Sequence, residues 1–332
     1  MNIGIRVDGN SAIGFGHLVR MEALARQFKA NGHEVVFFGQ VYPSDQISVF
    51  PIFQKPENAA RSEELAWLWQ KVTEQRCQII IIDSYDYQEQ ELDQIGRWPV
   101  YSVYYDDLNR HLFSVNCVVN GNLFGDKLLY QGTSLFLLGK DYALLRAEFA
   151  EMPIKITRDN VYEATLTMGG ADAANATPVL IEWLKELQFF SEVKFNIVIG
   201  PAFINKKAIL EKTGNLANMI MQQNADMAEL IKNSDMVISA AGQTVNELLA
   251  GGAPSLLIVT ADNQALNAKT AAELGCAINL GSFSLLTKEA FLGAFDIMYT
   301  NNKMRRDMSQ KGQSLIDGQG ASRLAACLIR NA

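Results

Sequence analysis

Short apolar runs bounded by turn residues alternate along the chain with longer stretches whose apolar positions recur at helical spacing. This alternation is typical of repeated strand–helix units around parallel sheets. It occurs in two blocks, which the polar segment 148–160 separates. The apolar runs predict strands at residues 3–7, 34–38, 78–83, 100–105, 117–120, 164–168, 194–199, 236–240 and 255–259.

The intervening stretches predict helices, the clearest of which covers residues 17–30 and ends at a C-cap formed by Asn31 and Gly32. The last stretch, 303–330, is also helical in pattern, and we expect it to pack back on the first domain. Further helices are predicted near residues 175–187, 226–232, 243–249 and 263–274.

The chain length supports a division into two α/β domains. At 332 residues the chain exceeds one ordinary core, since a domain takes roughly 150 residues. We place the domains at residues 1–152 and 153–332.

Composition and charge exclude several classes of protein. The chain is 48% hydrophobic and 20% charged, as in globular proteins. No apolar run reaches the roughly 20 residues that cross a bilayer, and the first residues have the pattern of a strand, not of a signal peptide. We therefore expect a cytoplasmic monomer without membrane insertion. The net charge of −7 argues against a nucleic-acid partner.

Metal-ligating residues are sparse. The four cysteines form no CxxC pair, and the three histidines show no HxxxH spacing. Scattered cysteines in a reducing compartment are expected to be buried free thiols. We predict that the protein uses neither a metal nor a cofactor.

The first segment with candidate chemistry runs from a strand through a glycine-bearing loop into a helix. Such a loop presents backbone donors at the carboxyl edge of a sheet, where α/β proteins bind ligands. His17 opens the helix, whose N-terminus favours a neutral imidazole that can accept a proton. The alternative is a capping or packed histidine. Asp8 could orient His17 or bind substrate, and Gly14, Gly16 and Arg20 are predicted to bind substrate.

A second strand–glycine–helix segment contains Gly169, Gly170 and Asp172. Paired glycines allow a diphosphate to approach the backbone closely, although they also occur in ordinary turns. We predict that these three residues bind substrate.

The third segment follows the predicted strand 236–240. Its small residues would let a phosphate reach the N-terminus of the next helix. Glu247, one turn into that helix, could accept both ribose hydroxyls or be a solvated charge, and Gln264 could reach the ligand or be exposed. The other predicted ligands in this segment are Ser239, Ala241, Gly242, Gln243 and Thr244.

Two more groups follow strands of the first domain. Asp83 ends the strongly apolar run 78–83 and Tyr85 follows it, so both belong to the same sheet edge as His17. We predict that Asp83 binds substrate. A phenol there could bind sugar or orient water. Asp106 and Asp107 also end a strand, where an acidic pair could simply cap the next turn.

These segments together carry a resemblance. The opening IRVDGNSAIGFGHLVRMEALA resembles the start of the UDP-2,4-diacetamido-2,4,6-trideoxy-β-L-altropyranose hydrolases, the PseG family of pseudaminic acid biosynthesis. Similarity continues through IIIDSYDY, YYDDL, Asn120, LGKDYALLRAEF, TMGGAD and ISAAGQTVNELLAGGAP with Gln264. The motifs occur in the family's order and span most of the chain.

The resemblance implies a GT-B fold similar to that of the lipid II glycosyltransferases, with two Rossmann-like domains facing across a cleft. The N-terminal domain would hold the sugar and the C-terminal domain the UDP. His17 would be the base, Tyr85 would position water, Glu247 would bind ribose and Asn120 would contact substrate. The family often has S-A-G-G or S-A-S-S where this chain has Ser-Ala-Ala-Gly at 239–242, so individual phosphate contacts stay open.

The implied activity is metal-independent, inverting hydrolysis of a UDP-linked 2,4-diacetamido-2,4,6-trideoxy sugar. It would release UDP and a free sugar for a nonulosonic acid of surface polysaccharide or flagellin. Two alternatives remain: a GT-B glycosyltransferase that passes the sugar to an acceptor hydroxyl, and a non-catalytic nucleotide-sugar-binding protein. The acyl groups of the sugar and the choice between UDP and CDP are also open.

Overall fold

A computed structural model describes residues 1–9, 15–40, 49–132, 134–214 and 216–332. The chain forms two compact units, Met1–Arg146 with Gln319–Ala332, and Ala147–Gly318. The sequence-based boundary at residue 152 lies within the segment that belongs to the second unit. Lys155 ties this segment to that unit, because its amide donates to Gln313 and its ammonium group donates to the Ile231 carbonyl.

The first unit contains a parallel sheet with the order β3-β2-β1-β4-β5-β6-β7 among the described residues. Its strands are β1 (Asn2–Val7), β2 (Glu34–Gly39), β3 (Ile52–Gln54), β4 (Ile79–Asp83), β5 (Tyr101–Tyr105), β6 (Cys117–Asn120) and β7 (Leu135–Leu138). Strand β1 pairs with β2 on one side and β4 on the other. The strand order therefore reverses between β1 and β4, and ligands of such sheets bind beside the carboxyl ends at this switch point.

Helices cover both faces of this sheet. They include α1 (Gly16–Ala30), α2 (Arg61–Glu74) and α3 (Glu89–Gly96). Leu24 and Phe28 of α1 belong to the core on the face of Ile81, whereas α2 and α3 pack on the face of Ile80 and Ile82. Because the central strands are buried on both faces of the sheet, their sequences are uninterrupted hydrophobic runs.

The second unit repeats the plan with a sheet of order β10-β9-β8-β11-β12-β13. Its strands are β8 (Glu163–Thr167), β9 (Lys194–Ile199), β10 (Met219–Gln223), β11 (Met236–Ala240), β12 (Ser255–Val259) and β13 (Ala277–Ser282). Its helices are α4 (Ala176–Leu184), α5 (Lys206–Thr213), α6 (Met227–Asn233), α7 (Thr244–Ala250), α8 (Ala265–Glu273), α9 (Lys288–Thr300) and α10 (Asn302–Leu315). The switch point here lies between β8 and β11, which are followed by the two glycine segments predicted to bind substrate.

The predicted α/β fold with parallel sheets is confirmed, but the strand prediction was incomplete. It missed β3, β7, β10 and β13. All four lie at an edge of their sheet, and all but β7 contain polar as well as apolar residues. An edge strand has a neighbour on one side only, so it is less completely buried and needs no continuous apolar run.

The predicted single helical stretch 303–330 is two helices, α10 and α11 (Gly320–Asn331). Gly318 separates them with a backbone φ of +72°, and a Cβ there would lie 2.4 Å from the Phe149 carbonyl oxygen. Only glycine fits this turn comfortably. Helix α11 packs on α1 and buries Leu324 and Leu328 in the core of the first unit.

Across the described ranges, no helix combines the length and apolar character that a membrane crossing requires.

Candidate functional site

His17 and Asp83 meet at the switch point of the first sheet. Helix α1 begins at Gly16, directly before His17, and Asp83 is the last residue of β4, in register with Val7 of β1. The Nδ1 atom of His17 lies 2.6 Å from Oδ1 of Asp83. The imidazole is 12% exposed while the carboxylate is fully buried, so solvent reaches only the histidine. Gly14 lies outside the described residues.

The partner of Nδ1 determines which ring nitrogen of His17 can accept a proton. A carboxylate oxygen only accepts hydrogen bonds, so the 2.6 Å contact requires a proton on Nδ1. Nη2 of Arg20 also lies 3.0 Å from Nδ1, but an unprotonated Nδ1 would place its lone pair against the anionic Asp83 oxygen. The contact therefore places a proton on Nδ1, so that in the neutral form of the ring Nε2 is the nitrogen that can accept a proton.

Arg20 joins Asp83 to a second carboxylate, that of Asp107, which follows β5. Nε and Nη2 of Arg20 donate to Asp83 at 2.7 and 2.6 Å, and Nη1 and Nη2 donate to Asp107 at 3.0 and 2.8 Å. The guanidinium group lies 4.2 Å from the centre of the Tyr105 ring and is almost fully buried. Arg20, predicted as a substrate ligand, is thus largely committed to the two carboxylates.

The ion pairs keep both carboxylates charged. Burial opposes ionisation, but Arg20 and His17 outweigh it at Asp83 and lower the pKa of that carboxyl below its ordinary value. At Asp107 burial again opposes ionisation, and Arg20, with help from His17 and Tyr85, lowers the pKa to about 2. Both groups are therefore anionic at neutral pH.

Tyr85 extends this cluster toward solvent. Its hydroxyl donates to Oδ2 of Asp107 at 2.7 Å. Its ring meets the His17 ring edge-on, with 4.7 Å between the ring centres. The side chain is 38% exposed, so it lies beside His17 at the accessible end of the cluster.

Asn120, predicted to contact substrate, is fully buried behind this cluster. Its Oδ1 accepts from the Asn122 side chain at 2.9 Å, and its Nδ2 donates to the Tyr130 hydroxyl at 2.8 Å. Asn122 in turn donates to Asp107 at 2.7 Å. Asn120 is therefore a buried residue that holds Asn122, which in turn bonds to Asp107.

Asp106 caps the turn after β5, the role that the sequence suggested for the acidic pair. Its Oδ2 accepts from the amides of Leu108 and Asn109 at 3.2 and 2.7 Å, and from the Tyr130 hydroxyl at 2.5 Å. Burial raises the pKa of its carboxyl despite these hydrogen bonds.

Asp8 belongs to a different cluster, so the expectation that Asp8 orients His17 is corrected: the partner of His17 is Asp83. The Asp8 carboxylate accepts from Nη2 of Arg6 at 2.8 Å and from the Gln40 amide at 2.7 Å. Arg6 also pairs with Glu64 of α2, at 2.6 Å. Since α2 covers the opposite face of the sheet from α1, Asp8 is held on that face.

In the second unit, the paired glycines form the turn after β8. Gly169 has a φ of +76°, and a Cβ added there would meet no atom within 4 Å, so this backbone is open to a ligand. The Gly170 carbonyl accepts from the Ala202 amide at 3.0 Å. Asp172, predicted to bind substrate, instead caps α4 by accepting from the Ala176 and Thr177 amides at 2.8 and 2.9 Å.

The segment between β11 and α7 divides into buried and accessible residues. Ser239 is buried and donates to the Ala240 carbonyl at 2.9 Å, and Ala241 is also buried, with its amide bonded to Ile258. Gly242, Gln243 and Thr244 are half-buried at the start of α7.

Gln243, the N-cap residue of α7, forms no side-chain cap. The Val245 and Asn246 amides bond to backbone carbonyls within the same turn, at 3.1 Å each. Glu247 is half-buried one turn into the helix. The side-chain oxygen Oε1 of Gln264 accepts from the Thr260 backbone amide at 2.9 Å. Its amide nitrogen would lie 3.7 Å from a Cβ at Gly242, so Gln264 adjoins the helix start.

Within the described ranges, no three His, Cys, Asp or Glu side chains converge as metal ligands would. All four cysteines are free thiols, and three of them are buried as predicted, whereas Cys327 is only half-buried.

Sequence reasoning missed Asp107 as the centre of the network and Asn122 as its partner. The available signal was position: Asp107 follows β5, the neighbour of β4, and carboxyl ends of adjacent parallel strands share one edge. The contact of Asp83 with His17 required the strand order, which the sequence pattern does not contain.

The chain is similar in sequence and in fold to several known proteins. Residues 165–315 match the glycosyltransferase family 28 C-terminal domain. The spore coat polysaccharide biosynthesis protein SpsG of Bacillus subtilis (strain 168) is 23% identical over 99% of this chain and 98% of its own length. The UDP-2,4-diacetamido-2,4,6-trideoxy-β-L-altropyranose hydrolase of Campylobacter jejuni is 26% identical over 83% of this chain and 97% of its own.

Among solved structures, MurG of Acinetobacter baumannii superposes with a TM-score of 0.69 and 17% identity, covering 99% of both chains. This likeness defines the class of protein: the chain has the GT-B fold. Residues 165–315, which lie in the second unit, are similar to the glycosyltransferase family 28 C-terminal domain.

Proposed function

We propose that this protein is a metal-independent, inverting hydrolase of a UDP-linked 2,4-diacetamido-2,4,6-trideoxy sugar. The observation that carries the proposal is the pairing of His17 with Asp83 at the switch point of the first sheet, with Nε2 left as a base. The similarity to the Campylobacter hydrolase over most of both chains supports the substrate class.

The base acts on water. His17 Nε2 takes one proton as the water oxygen bonds to the anomeric carbon, on the face opposite the nucleotide. The bond from that carbon to the phosphate oxygen breaks, and UDP leaves with the electron pair. The cluster of Arg20, Asp83, Asp107 and neutral His17 has a formal charge of −1, from one cation and two anions. Protonation brings it to zero, so the two carboxylates stabilise the imidazolium that forms.

The second unit binds the nucleotide in this proposal. Backbone amides at the start of α7 and in the turn of Gly169 would hold the diphosphate, because a helix start and an open glycine backbone both favour anions. Donors there stabilise the charge that grows on departing UDP, so the reaction needs no general acid. Glu247 would accept hydrogen bonds from the ribose hydroxyls.

Replacement of Glu247 by Ala is expected to weaken UDP binding roughly tenfold, about 1.4 kcal/mol, because hydrogen bonds to a charged acceptor would be lost. Isothermal titration calorimetry with UDP measures the effect. Glu229→Ala is the matched control, since Glu229 also lies in the first turn of a helix of this unit. Equal UDP affinities for both variants and the unsubstituted protein would show that Glu247 does not bind the ribose.

A second candidate function is a glycosyltransferase. The family 28 domain and the MurG-like fold favour it, because they would bind the same kind of donor. The two candidates differ in the nucleophile, which is water in the hydrolase and an acceptor hydroxyl in the transferase.

The direct test is a panel of UDP- and CDP-linked diacetamido sugars in a buffer with EDTA, with release of nucleotide measured and the sugar product identified. We expect UDP and free 2,4-diacetamido-2,4,6-trideoxy sugar at a rate that EDTA leaves unchanged. Activity that returns only with magnesium or manganese would contradict metal independence. Release that requires an acceptor would identify a transferase, and binding without turnover would identify a binding protein.

A further inference from the structure

The guanidinium group of Arg20 is shared between two carboxylates. Its Nε and Nη2 donate to Oδ2 and Oδ1 of Asp83 at 2.7 and 2.6 Å. Its Nη1 and Nη2 donate to Oδ1 and Oδ2 of Asp107 at 3.0 and 2.8 Å. Each carboxylate therefore uses both oxygens on one edge of the planar group. This bidentate geometry fixes the orientation of a carboxylate as well as its charge.

The sharing accounts for both hydrogens of Nη2. A guanidinium Nη atom carries two hydrogens, and those of Nη2 go to one oxygen of each carboxylate. Nη2 therefore has no further hydrogen for Nδ1 of His17, although the two nitrogens lie 3.0 Å apart. The short distance follows from their common partner, Oδ1 of Asp83, which lies 2.6 Å from each.

Arg20 also determines which oxygen of Asp83 meets His17. The two residues of α1 are three positions apart, so they lie on one face of the helix. Nε of Arg20 holds Oδ2 of Asp83, which prevents rotation of the carboxylate and leaves Oδ1 at Nδ1 of His17. The Asp83 side chain is fully buried and that of Arg20 almost fully, and such bonds are stronger inside a protein than in water.

We propose that Arg20 is a positioning residue of the reaction, because its forked guanidinium group fixes the Asp83 carboxylate that orients His17. The inference rests on the proposed function, since it concerns the base of that reaction. Asp107 is the second anchor, because it holds the other edge of the same group. This role differs from the substrate contact that the sequence predicted for Arg20.

A lysine cannot fill this role. An ammonium group is a compact charge without a fork, so it cannot hold both oxygens of a carboxylate in one plane. Arg20→Lys therefore keeps the charge of the cluster and removes the orientation. We expect it to lower kcat by roughly a hundredfold, the scale for a misplacement of about 1 Å in an active site. KM and the affinity for UDP should change little.

Rescue by a small cation separates orientation from charge. Arg20→Ala removes the side chain, so a free guanidinium ion can bind between Asp83 and Asp107. We expect guanidinium chloride at a low, non-denaturing concentration to raise kcat of this variant roughly tenfold, the scale of a restored hydrogen bond to a charged group. Methylammonium chloride at the same concentration should not. Equal rescue by both cations, or an unchanged kcat in folded Arg20→Lys, would overturn the proposal.

The hydrogen bond between His17 and Asp83 can be followed without substrate, by NMR of protein with nitrogen-15 histidine. The Nδ1 proton of His17 should give a downfield signal that exchanges slowly with water, because a buried carboxylate holds it. Arg20→Lys and Arg20→Ala should lose this signal, and guanidinium should restore it in Arg20→Ala. Persistence of the signal in both folded variants would overturn the proposal. Should Arg20→Ala fail to fold in a thermal melt, Arg20→Lys decides by kcat and by this signal.

Arg6→Lys is the matched control. Arg6 is also a fully buried arginine of the first unit that pairs with two carboxylates, those of Asp8 and Glu64. The control variant should keep the His17 signal and the kcat of the folded protein. Loss of the signal in Arg6→Lys to the same extent as in Arg20→Lys would assign the effect to a general loss of packing and overturn the proposal.

The outcome separates this inference from the proposed function. Hydrolysis by the unsubstituted protein with an unchanged kcat in Arg20→Lys overturns the positioning role and leaves the hydrolase standing. Absence of hydrolysis by the unsubstituted protein overturns the proposed function. The NMR signal needs no substrate, so it still decides whether Arg20 holds Asp83 at His17.

Discussion

Replacement of His17 by Gln or Ala is expected to lower kcat by roughly a hundredfold or more, the usual scale for the loss of a general base. The physical reason is the local arrangement: His17 is held by Asp83 through Nδ1, so Nε2 is the basic atom at the switch point. Neither replacement offers a group that accepts a proton near neutral pH. UDP binding should be preserved, because the groups assigned to the nucleotide belong to the second unit.

Steady-state kinetics with the UDP-sugar and calorimetric titration with UDP check the two parts of this expectation. His33→Gln is the matched control, because His33 is a half-buried histidine of the same unit and its Nδ1 contacts the N-terminal amine at 3.1 Å. Near-normal turnover by both His17 variants would remove His17 from the mechanism. Loss of UDP affinity in step with kcat would indicate a folding defect instead.

Asp83→Asn is expected to lower kcat by a comparable factor, roughly a hundredfold or more, while the fold is kept. The amide that replaces the carboxylate can turn an N–H toward Nδ1 of His17. The ring then carries its proton on Nε2, where it cannot accept one from water. The variant also loses the negative charge that stabilises the imidazolium during the reaction.

Nitrogen-15 NMR of histidine-labelled protein reports the tautomer directly, and kinetics report the rate. The unsubstituted protein should show the Nδ1–H form at His17, and Asp83→Asn should show a shift toward Nε2–H. Asp8→Asn is the informative comparison, because Asp8 pairs with Arg6 in the other cluster and should leave the tautomer as it is. A tautomer that changes in Asp8→Asn but not in Asp83→Asn would reverse the assignment of the orienting carboxylate.

The central strands were predictable because they are buried on both faces. The run Ile79–Asp83 is four isoleucines followed by an aspartate, which both defines β4 and marks its carboxyl end. Strand β3, with three residues at the edge, and β10, with two glutamines, have no comparable signal. Edge strands are specified by pairing with a neighbour more than by their own pattern.

The site was predictable to the level of the sheet edge. His17, Asp83 and Tyr85 were assigned to one edge because each follows a strand or opens the helix after it. Which carboxylate meets the imidazole depends on the strand order and on the face to which each side chain points. Asp8 is closer to His17 in sequence, yet it bonds to Arg6 on the α2 face, while Asp83 arrives from β4.

Polar residues beside glycine turns were the least predictable. Asp172 is held by two amides of α4, and Asn120 is buried among Asn122 and Tyr130. Both satisfy local backbone or side-chain donors, as buried polar groups generally must. A sequence shows that such a residue adjoins a turn, but it does not show whether the residue faces the turn or the ligand.

The central claim is that water, activated by His17, attacks the anomeric carbon and not the β-phosphorus. Hydrolysis in oxygen-18 water with mass spectrometry of both products tests it most directly, provided the sugar is analysed early, before ring opening exchanges its anomeric oxygen. Attack at carbon predicts unlabelled UDP and a labelled sugar whose anomeric configuration is initially inverted. Label recovered in UDP would contradict the mechanism, even if the fold and the substrate class were right.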